Sequence, residues 1–569
     1  MDVIQIIIPL IIFVLIIIPL GRYVYNVLSG EKSFVDPLLN KVDNLIFKVT
    51  GIKKDEMTWK QYVLAIIISN VVMCLAAFII LKLQNIHIFN PNNIGSMKSD
   101  LSFNTAISFI TNTNLQGYAG ESGVSYLSQM VVMTFLMFTS ASTGFAAASA
   151  FMRGIIGRKK TLGNFFVDMT RIITRILLPL SIFVTVILVS QGVPQTLAPN
   201  KTITTIESKY QDIAMGPVAS LESIKHIGTN GGGFFNANSA HPFENPTTFS
   251  NLAELLSMMA LPGALVIAFG LMLKNKKQSW MIFITMGVLL VMMIPVIYMS
   301  EKAGNPNLAK VGLSQVMGNM EGKEVRFGIA ASALFTTITT AFTTGTVNTM
   351  HDSLMPLGGL VPLWNMMLNV VFGGKGVGFM NMMMYAIITV FIAGLMVGRT
   401  PEFLGKKIEG KEIKLIALAI LVHPFIILFP SAVALSTKMG LSSITNPGFH
   451  GLTETVYQFT SAAANNGSAF AGFNGNTMFA NTTTGIVMIL GRYLSIIILL
   501  AVAGSLASKH AVPETMATFR TDNSIFVVIL ISVVIIIGAL TFLPALTLGP
   551  IAEHLMLEIG RASCRERVY

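Results

Sequence analysis

Long apolar runs alternate along the chain with short polar loops, and ten of these runs are about as long as a membrane-spanning helix. A helix needs about 20 predominantly apolar residues to cross the hydrocarbon core of a bilayer. The predicted spans, numbered 1 to 10 in chain order, are 3–20, 62–83, 127–150, 172–191, 252–273, 280–299, 358–397, 413–435, 484–507 and 525–546. This pattern predicts an all-α polytopic membrane protein with ten transmembrane helices.

The seventh apolar run is too long for one straight helix, and it contains a cluster of glycines. Its middle reads Gly373-Gly374-Lys375-Gly376-Val377-Gly378. Glycine is about 1 kcal/mol less favourable than alanine inside a helix, and glycine-rich positions are frequent sites of helix kinks. We therefore expect span 7 to break at residues 373–378.

Four short polar stretches recur in the loops at nearly equal intervals. They are Thr111–Asn114, Gly228–Gly231, Thr343–Gly345 and Asn465–Gly467. With Asn114, Gly231, Gly345 and Gly467 taken as equivalent, successive copies lie 117, 114 and 122 residues apart. The first copy is the weakest, because asparagine stands where the other three have glycine. Fixed-period similarity of this kind indicates an internal repeat.

A moderately apolar segment, too short to cross a bilayer, precedes each polar stretch. These segments are predicted as short helices at Leu101–Ile110, Val218–Ile227, Ile329–Phe342 and Leu452–Ala463. Each repeat therefore consists of a span, a short re-entrant helix, a polar stretch and a second span. Four such pseudo-symmetric repeats can surround one pore, with one flanking helix at each end of the chain.

This repeat divides the chain into seven predicted segments. They are an N-terminal helix with its cytoplasmic loop at 1–61, repeat 1 at 62–171, repeat 2 at 172–279, repeat 3 at 280–412, repeat 4 at 413–510, a C-terminal helix at 511–557 and a tail at 558–569. The tail is polar, rich in arginine and without periodicity, which is typical of a non-native extension.

The distribution of charge orients the predicted spans. Only 11% of the residues are charged, the mean hydropathy is +0.69 and the formal net charge is +11. Basic residues concentrate in the loops after the odd-numbered spans, a bias that places those loops in the cytoplasm and accounts for the positive charge without nucleic acid. Among them are Lys32, Lys53, Arg158, Lys276 and Arg399. The polar stretches lie in the opposite loops, so we expect them to enter from outside.

The polar stretches have the chemistry of a cation filter. A selective potassium site must replace the water around the ion, and rings of backbone carbonyls do so in potassium channels. Glycine lets the backbone turn toward the axis, and the negative C-terminal end of each short helix would point at the ion. Threonine and asparagine side chains can add ligands or brace the loops. The alternative, that these are ordinary extracellular turns, is weakened by four similar copies.

Three longer motifs connect the chain with a known family. The segments Gly228–Ser239, Thr460–Gly472 and Gly398–Lys407 resemble those of KdpA, the potassium-binding and potassium-translocating subunit of bacterial Kdp potassium-transporting ATPases. The resemblance covers essentially residues 1–557, including the number and order of the spans. The fourfold layout alone is similar to a wider superfamily of potassium transporters, and the three motifs favour the Kdp member.

The resemblance implies a potassium filter, K⁺ as the transported ion, and import from the extracellular side across the bacterial plasma membrane. It implies as partners a P-type ATPase catalytic subunit and two small membrane subunits. The filter positions that it implies are Asn112, Thr113, Asn114, Thr229, Asn230, Gly231, Thr343, Thr344, Gly345, Asn465, Asn466 and Gly467. The third loop carries Thr344 before its glycine, a position where the family appears variable in its small residue.

Two further features are candidates for gating or for the vestibule. The resemblance implies that the break in span 7 is a movable constriction, formed by Gly373, Gly374, Gly376 and Gly378 with Lys375 facing the cavity; a static kink is the alternative. Arg492 interrupts an apolar run in span 9. A charge at this depth usually faces a cavity or a partner, so Arg492 is either a fixed vestibule charge or an anchor for neighbouring carbonyls.

The chain has no sequence motif for nucleotide hydrolysis. It contains neither a Walker A pattern nor the Asp-Lys-Thr-Gly motif of P-type pumps, and no cytoplasmic loop is large enough for nucleotide domains. We therefore expect a non-hydrolytic subunit that binds no nucleotide. An autonomous potassium channel or cation symporter of the same superfamily is the alternative, and a structural membrane scaffold is a weaker one.

A few polar residues outside these motifs are predicted to have structural rather than functional roles. His351, Asp352, Glu244 and Glu254 are predicted to be solvated loop residues, although the first two could tune the outer mouth. His423, next to Pro424 in span 8, is predicted to be a hydrogen-bonded packing residue. The two cysteines, Cys74 and Cys564, support neither a disulfide framework nor a metal site.

Overall fold

Helices that can cross a membrane make up most of the structure. The structure, a computed structural model, describes residues 2–31, 36–86, 88–157, 159–396, 398, 401–510 and 519–557. Within these ranges ten helices are long and apolar enough to span a bilayer: Asp2–Ser29, Trp59–Lys82, Tyr126–Ile156, Phe165–Ser190, Thr248–Leu273, Lys276–Lys302, Val377–Met396, Gly410–Ser436, Met478–Ala507 and Ser524–Leu557. They correspond in number and order to the ten predicted spans, which confirms an all-α, multi-pass membrane protein.

Several sequence-based predictions concern parts of the chain that lie outside the described residues. These are the proposed non-native tail at 558–569 with Cys564, and the basic residues Lys32, Arg158 and Arg399. The boundaries of the seven predicted segments also stay predictions, because a helix assignment does not delimit repeats.

One short helix lies between the two spans of each predicted repeat. The four are numbered short helix 1 to 4 in chain order. They are Ser99–Ile110, Val218–Ile227, Gly328–Ala341 and Phe449–Ala464. Each ends where a polar stretch begins. Their bounds are close to the predicted ones because the apolar segments and the polar stretches that follow them are both well marked in the sequence.

Span 7 is broken, as its glycines predict. One half is the helix Pro356–Leu368, and the other is Val377–Met396. Between them, residues 369–376 form a non-helical segment, called the span-7 break below. Gly373 and Gly378 approach so closely that a Cβ atom on either would overlap the backbone of the other. Only glycine fits this crossing.

The remaining elements are short and connect the spans. An amphipathic helix covers Asp36–Thr50, and further helical turns lie at Gln84–Ile86, Gly120–Gly123, Asn238–Ala240, His351–Ser353 and Lys438–Leu441. Strands β1 (Lys201–Thr204) and β2 (Tyr210–Ile213) pair antiparallel with Lys201 opposite Ile213, and β3 (Glu402–Phe403) pairs antiparallel with β4 (Lys406–Lys407).

The spans differ in how deeply they are buried. Spans 3 and 5 are buried over 72% and 83% of their most apolar 18-residue windows, against 17% for span 1 and 22% for spans 2 and 8. Exposed aliphatic side chains cover span 2, among them Leu64, Ile68, Val72 and Leu75. In a membrane such a surface faces lipid, so spans 3 and 5 form the interior of the protein.

Small residues let neighbouring spans approach one another closely. A Cβ atom on Gly154 of span 3 would lie 2.7 Å from the Cβ of Ala503 in span 9, and one on Gly21 of span 1 would lie 2.6 Å from the Cβ of Ile267 in span 5. Close approach over small residues is the usual packing of membrane helices, which gain van der Waals contact rather than hydrophobic free energy.

Candidate functional site

The four polar stretches meet in a closed ring at the centre of the protein. Gly231 faces the carbonyl oxygen of Thr344, Gly345 faces that of Asn466, and Gly467 faces that of Thr113. A Cβ atom at any of these three glycines would overlap the facing oxygen. The four polar stretches are called loops 1 to 4 in chain order. Loop 2 is therefore a neighbour of loop 3 in space, loop 3 of loop 4, and loop 4 of loop 1.

A hydrogen bond closes the remaining side of the ring. The Asn112 side-chain amide donates to the carbonyl oxygen of Thr229 at 2.7 Å, which joins loop 1 to loop 2. All twelve sequence-predicted filter positions are buried, and the structure brings them together.

The backbone follows the same alternation in all four stretches. Each stretch contains three consecutive predicted filter positions, called its first, middle and third positions. The first and third positions have left-handed φ angles: Asn112 and Asn114 (63° and 56°), Thr229 and Gly231 (44° and 95°), Thr343 and Gly345 (50° and 84°), Asn465 and Gly467 (54° and 96°). A β-branched residue at positive φ is strained, and such strain, about 1–3 kcal/mol per residue, is often found at functional sites. Four loops share this unusual path.

One backbone hydrogen bond recurs in each stretch. The N–H group of the middle residue donates to the carbonyl five residues earlier, near the end of the preceding short helix. The four bonds are Thr113 to Ser108 (2.9 Å), Asn230 to Lys225 (2.9 Å), Thr344 to Thr339 (2.8 Å) and Asn466 to Ser461 (2.9 Å). They hold each stretch against its helix, so the partially negative C-terminal ends of the four helices border the ring.

Several amide side chains of the stretches brace the loops. Asn230 donates to the Asn112 side-chain oxygen at 2.7 Å, and Ser140 of span 3 donates to the same oxygen at 3.0 Å. In loop 4, the amide of Asn465 donates to the hydroxyl of Thr113 at 2.9 Å. The amide of Asn466 donates to the carbonyl of Thr339 in short helix 3 at 2.9 Å. These bonds connect the first polar stretch to the second and the fourth, and the fourth to short helix 3, and they restrict the width of the ring.

Asn114 departs from this pattern. Its side chain is fully buried, yet neither its amide nitrogen nor its oxygen has a hydrogen-bond partner among the described residues. It borders a cavity of about 470 Å³ that Gly232, Gly345 and Gly467 also line. The cavity therefore opens on the third positions of the ring, and the first loop presents a polar side chain there.

The span-7 break contacts the opposite end of the ring, at the first positions. The Lys375 backbone amide donates to the hydroxyl of Thr229 at 3.1 Å, and the hydroxyl of Thr343 lies 3.3 Å from the side-chain oxygen of Asn369. The Lys375 side chain is fully buried, and its ammonium group has no hydrogen-bond partner within the described ranges.

Arg492 lies next to this break. Its guanidinium donates to the carbonyl oxygen of Ser140 at 3.0 Å, and a Cβ atom on Gly144 would overlap both the Lys375 carbonyl and the Arg492 guanidinium. The bond to a carbonyl agrees with the predicted anchoring role, and the position beside the break agrees with the vestibule role. The structure thus brings Arg492 together with the predicted gating residues.

The prediction that Glu244, Glu254 and His351 are solvated is wrong. The two glutamates are fully buried, and His351 is 1% exposed. The Nδ1 atom of His351 lies 2.6 Å from the hydroxyl of Tyr457, and burial, with the nearby Lys323 ammonium, lowers the pKa of His351 to about 3. Local polarity indicated loop positions, whereas tertiary packing covers these residues.

Sequence reasoning also missed a buried charged cluster on short helix 2. Glu222, Lys225 and His226 are all fully buried there. Their three- and four-residue spacing in a short apolar helix was the available signal, because it places them on one face. His423, by contrast, lies 3.1 Å through Nε2 from the carbonyl of Met366, which confirms its predicted packing role.

A histidine bridge connects short helix 4 with two other elements. His450 bonds Asp352 through Nε2 at 3.0 Å and Glu553 of span 10 through Nδ1 at 2.9 Å. Asp352 is therefore half-buried and ion-paired instead of solvated. Burial lowers the pKa of His450, but the hydrogen bonds to the two carboxylates outweigh burial and raise its pKa to about 10.

Comparison with known proteins gives consistent matches. Residues 7–555 match the family model KdpA, described as potassium-transporting ATPase A subunit. A curated Clostridium acetobutylicum protein, described as potassium-transporting ATPase potassium-binding subunit, is 62% identical over 558 residues, which is 98% of this chain and 100% of that protein. A Geobacillus kaustophilus protein with the same description is 56% identical over 545 residues, covering 96% of this chain and 97% of its own length.

One solved structure has the same fold. The potassium transporter TrkH from Vibrio parahaemolyticus superposes with a TM-score of 0.54 at 14% sequence identity, over 88% of this chain and 98% of that chain. At this identity the similarity concerns the fold alone.

The His450 bridge predicts a pH-dependent stability. A group whose pKa is raised on folding stabilises the folded state while it is protonated, so its contribution is complete below about pH 6.5 and is lost as the pH rises through about 10. In thermal unfolding, His450→Gln should lower the midpoint at pH 7, and its difference from the unmodified chain should vanish above about pH 10.

The exposed His510 offers a matched control. His510→Gln should follow the unmodified chain at every pH. A difference between His450→Gln and the unmodified chain that does not change with pH would contradict an imidazolium bridge.

Proposed function

The chain belongs to the KdpA family, the A subunits of potassium-transporting ATPases, and on this premise we propose that it binds and translocates K⁺ at the ring of its four polar stretches. It acts as the potassium-binding, channel-like subunit of an ATP-driven import complex. The descriptions of its relatives support the ion and the complex, and the ring supports the location of the site.

The observation that carries the proposal is the repeated geometry of the ring. Four stretches, each at the C-terminal end of a short helix, share the same alternation of φ and the same backbone hydrogen bond. Because each middle N–H is bound to its helix, backbone carbonyls remain to surround a dehydrated cation. Four helix ends add partial negative charge, which favours a cation over an anion.

We assign the ligand role to the twelve predicted filter positions. Backbone carbonyls supply most of the oxygens, and the bracing asparagines restrict the ring to one width. The cavity beside Asn114 is the entrance, and its extracellular position follows from the basic loops on the other side of the spans. The proposed location is the bacterial plasma membrane, with the filter facing outward.

The span-7 break is the proposed gate. It contacts the inner end of the ring through Lys375 and lies beside Arg492. Two buried cationic side chains in a low-dielectric space repel a third cation strongly. Ion passage from the ring therefore requires the break, which contains Gly373, Gly374 and Gly376, to move.

Coupling to ATP is assigned to other chains. The chain lacks nucleotide motifs, so we propose that a P-type ATPase subunit hydrolyses ATP and that two small membrane subunits complete the assembly. The four repeats, divided at 62–171, 172–279, 280–412 and 413–510, form the translocating unit, and the helices at both chain ends flank it.

Gly231→Asp tests the filter. A side chain there would overlap the Thr344 carbonyl and enter the ion path, so the K⁺ concentration for half-maximal ATP hydrolysis by the assembled complex should rise about tenfold or more. Gly475→Asp is the control, because a Cβ atom at Gly475 would make only an ordinary contact at 3.5 Å. Unchanged K⁺ dependence in Gly231→Asp would contradict this placement of the filter.

Lys375→Met tests the gate, with rubidium flux into liposomes that hold the chain alone. Removing the buried ammonium should raise a negligible flux several-fold, whereas Lys438→Met, at an exposed position, should leave it unchanged. Equal flux in Lys375→Met and the unmodified chain would exclude Lys375 from the gate. Fast flux through the unmodified chain would instead support an autonomous channel.

A further inference from the structure

We propose that Glu222, His226 and Glu254 form a binding site for a divalent transition-metal ion, with Zn²⁺ the best match, which ties short helix 2 to span 5. This site is separate from the ring and does not depend on the proposed filter or the proposed gate.

The three side chains converge from two elements. Glu222 and His226 are four residues apart on short helix 2, so they share one face, and Glu254 projects from span 5. One ligand atom from each residue lies within 4.8 Å of the other two. All three side chains are fully buried.

The hydrogen bonding of His226 directs its Nε2 atom into the cluster. Its Nδ1 atom lies 2.7 Å from the Glu222 carbonyl oxygen, and because a carbonyl can only accept, Nδ1 donates this bond. The other ring nitrogen, Nε2, lies 3.3 Å from a carboxylate oxygen of Glu254. Metal-bound histidines typically donate their other N–H to a carbonyl or carboxylate in this way.

The carboxylates of the cluster are incompletely paired. Glu222 and Glu244 both contact the Lys225 ammonium, Glu244 at 2.9 Å. Glu254 is fully buried, and apart from its contact with His226 neither of its oxygens has a hydrogen-bond partner among the described residues. A buried polar group without a partner is costly, and a metal ion bound to this carboxylate would supply the missing partner.

The donor set selects the class of metal. Imidazole favours zinc, copper, iron and nickel, whereas sites made of oxygen alone favour magnesium or calcium. Zinc accepts histidine nitrogen and carboxylate oxygen together. The Ser239 hydroxyl lies 3.5 Å from Nε2 of His226, beside the same space.

The cluster is connected to the ring of polar stretches. The Lys225 ammonium donates to the Asn238 side-chain oxygen at 3.0 Å, and that oxygen also accepts from the hydroxyl of Thr346, directly after stretch 3. The backbone carbonyl of Lys225 accepts the N–H bond from Asn230 in stretch 2. A metal here would therefore stabilise short helix 2 and the loops that depend on it.

The other histidine–carboxylate cluster differs in the decisive respect. Both ring nitrogens of His450 bond carboxylates, at 3.0 and 2.9 Å. This arrangement requires an imidazolium, which has no lone pair for a metal. His450 therefore provides a matched control for His226.

The test is the metal content of the full chain, purified without a histidine tag and measured by mass spectrometry. The unmodified chain should carry stoichiometric zinc or another divalent transition metal. Glu254→Gln and His226→Gln should lose it, and His450→Gln should keep it. Chelation of the unmodified chain should lower its thermal midpoint, and added Zn²⁺ should restore it.

Two results would overturn the proposal. One is an unmodified chain that carries no stoichiometric metal and whose midpoint responds to neither chelator nor Zn²⁺. The other is equal metal content in His226→Gln and the unmodified chain, which would mean adventitious binding. If the variants fail to fold, the chelation and restoration of the unmodified chain decide.

Discussion

Backbone amides and carbonyls inside a membrane must be paired or must line a cavity, and the centre of this protein depends on that constraint. Each polar stretch satisfies it in the same way: the middle N–H returns to its short helix, and the residues on either side adopt left-handed φ angles. Glycine or asparagine holds six of these eight positions, and Thr229 and Thr343 hold the other two. The carbonyls that are left without helix partners then gather in one ring. The spans around them are needed to keep that ring buried and to hold four short helices with their C-terminal ends together.

The ring is symmetric in its backbone but not in its side chains. Loop 1 presents the unpartnered amide of Asn114 where the other loops have glycine, and Lys375 reaches only one sector of the inner end. Among the short helices, buried charged side chains lie on short helix 2 (Glu222 and Lys225) and short helix 4 (Glu454), whereas short helix 3 is lined by threonines and alanines. The four stretches therefore share one backbone path, while individual side chains distinguish the two ends of the ring and the contacts of each quarter.

Much of this architecture could be predicted from the sequence, because residues that are close together in the chain determine each element. The ten apolar runs, a break in span 7 and the four short helices follow from composition and spacing alone. The bounds of the break do not, because it begins at Asn369, before the glycines, and the helix resumes at Val377. The span ends could not, since several helices continue beyond their apolar runs, as at Ser29 and Ile156. The burial of Glu244 and Glu254 could not be predicted from the sequence either, because long-range packing covers them. The bracing bonds of Asn112 and Asn466 likewise join residues more than 100 positions apart.

The central claim is that the four stretches form one cation site on a common axis. Anomalous diffraction from crystals of the complex grown with Rb⁺ in place of K⁺ tests it most directly. The account predicts an anomalous peak on the axis of the ring, surrounded by carbonyl oxygens from all four stretches. Ordered loops with no peak between them, and rubidium bound elsewhere in the chain, would contradict it.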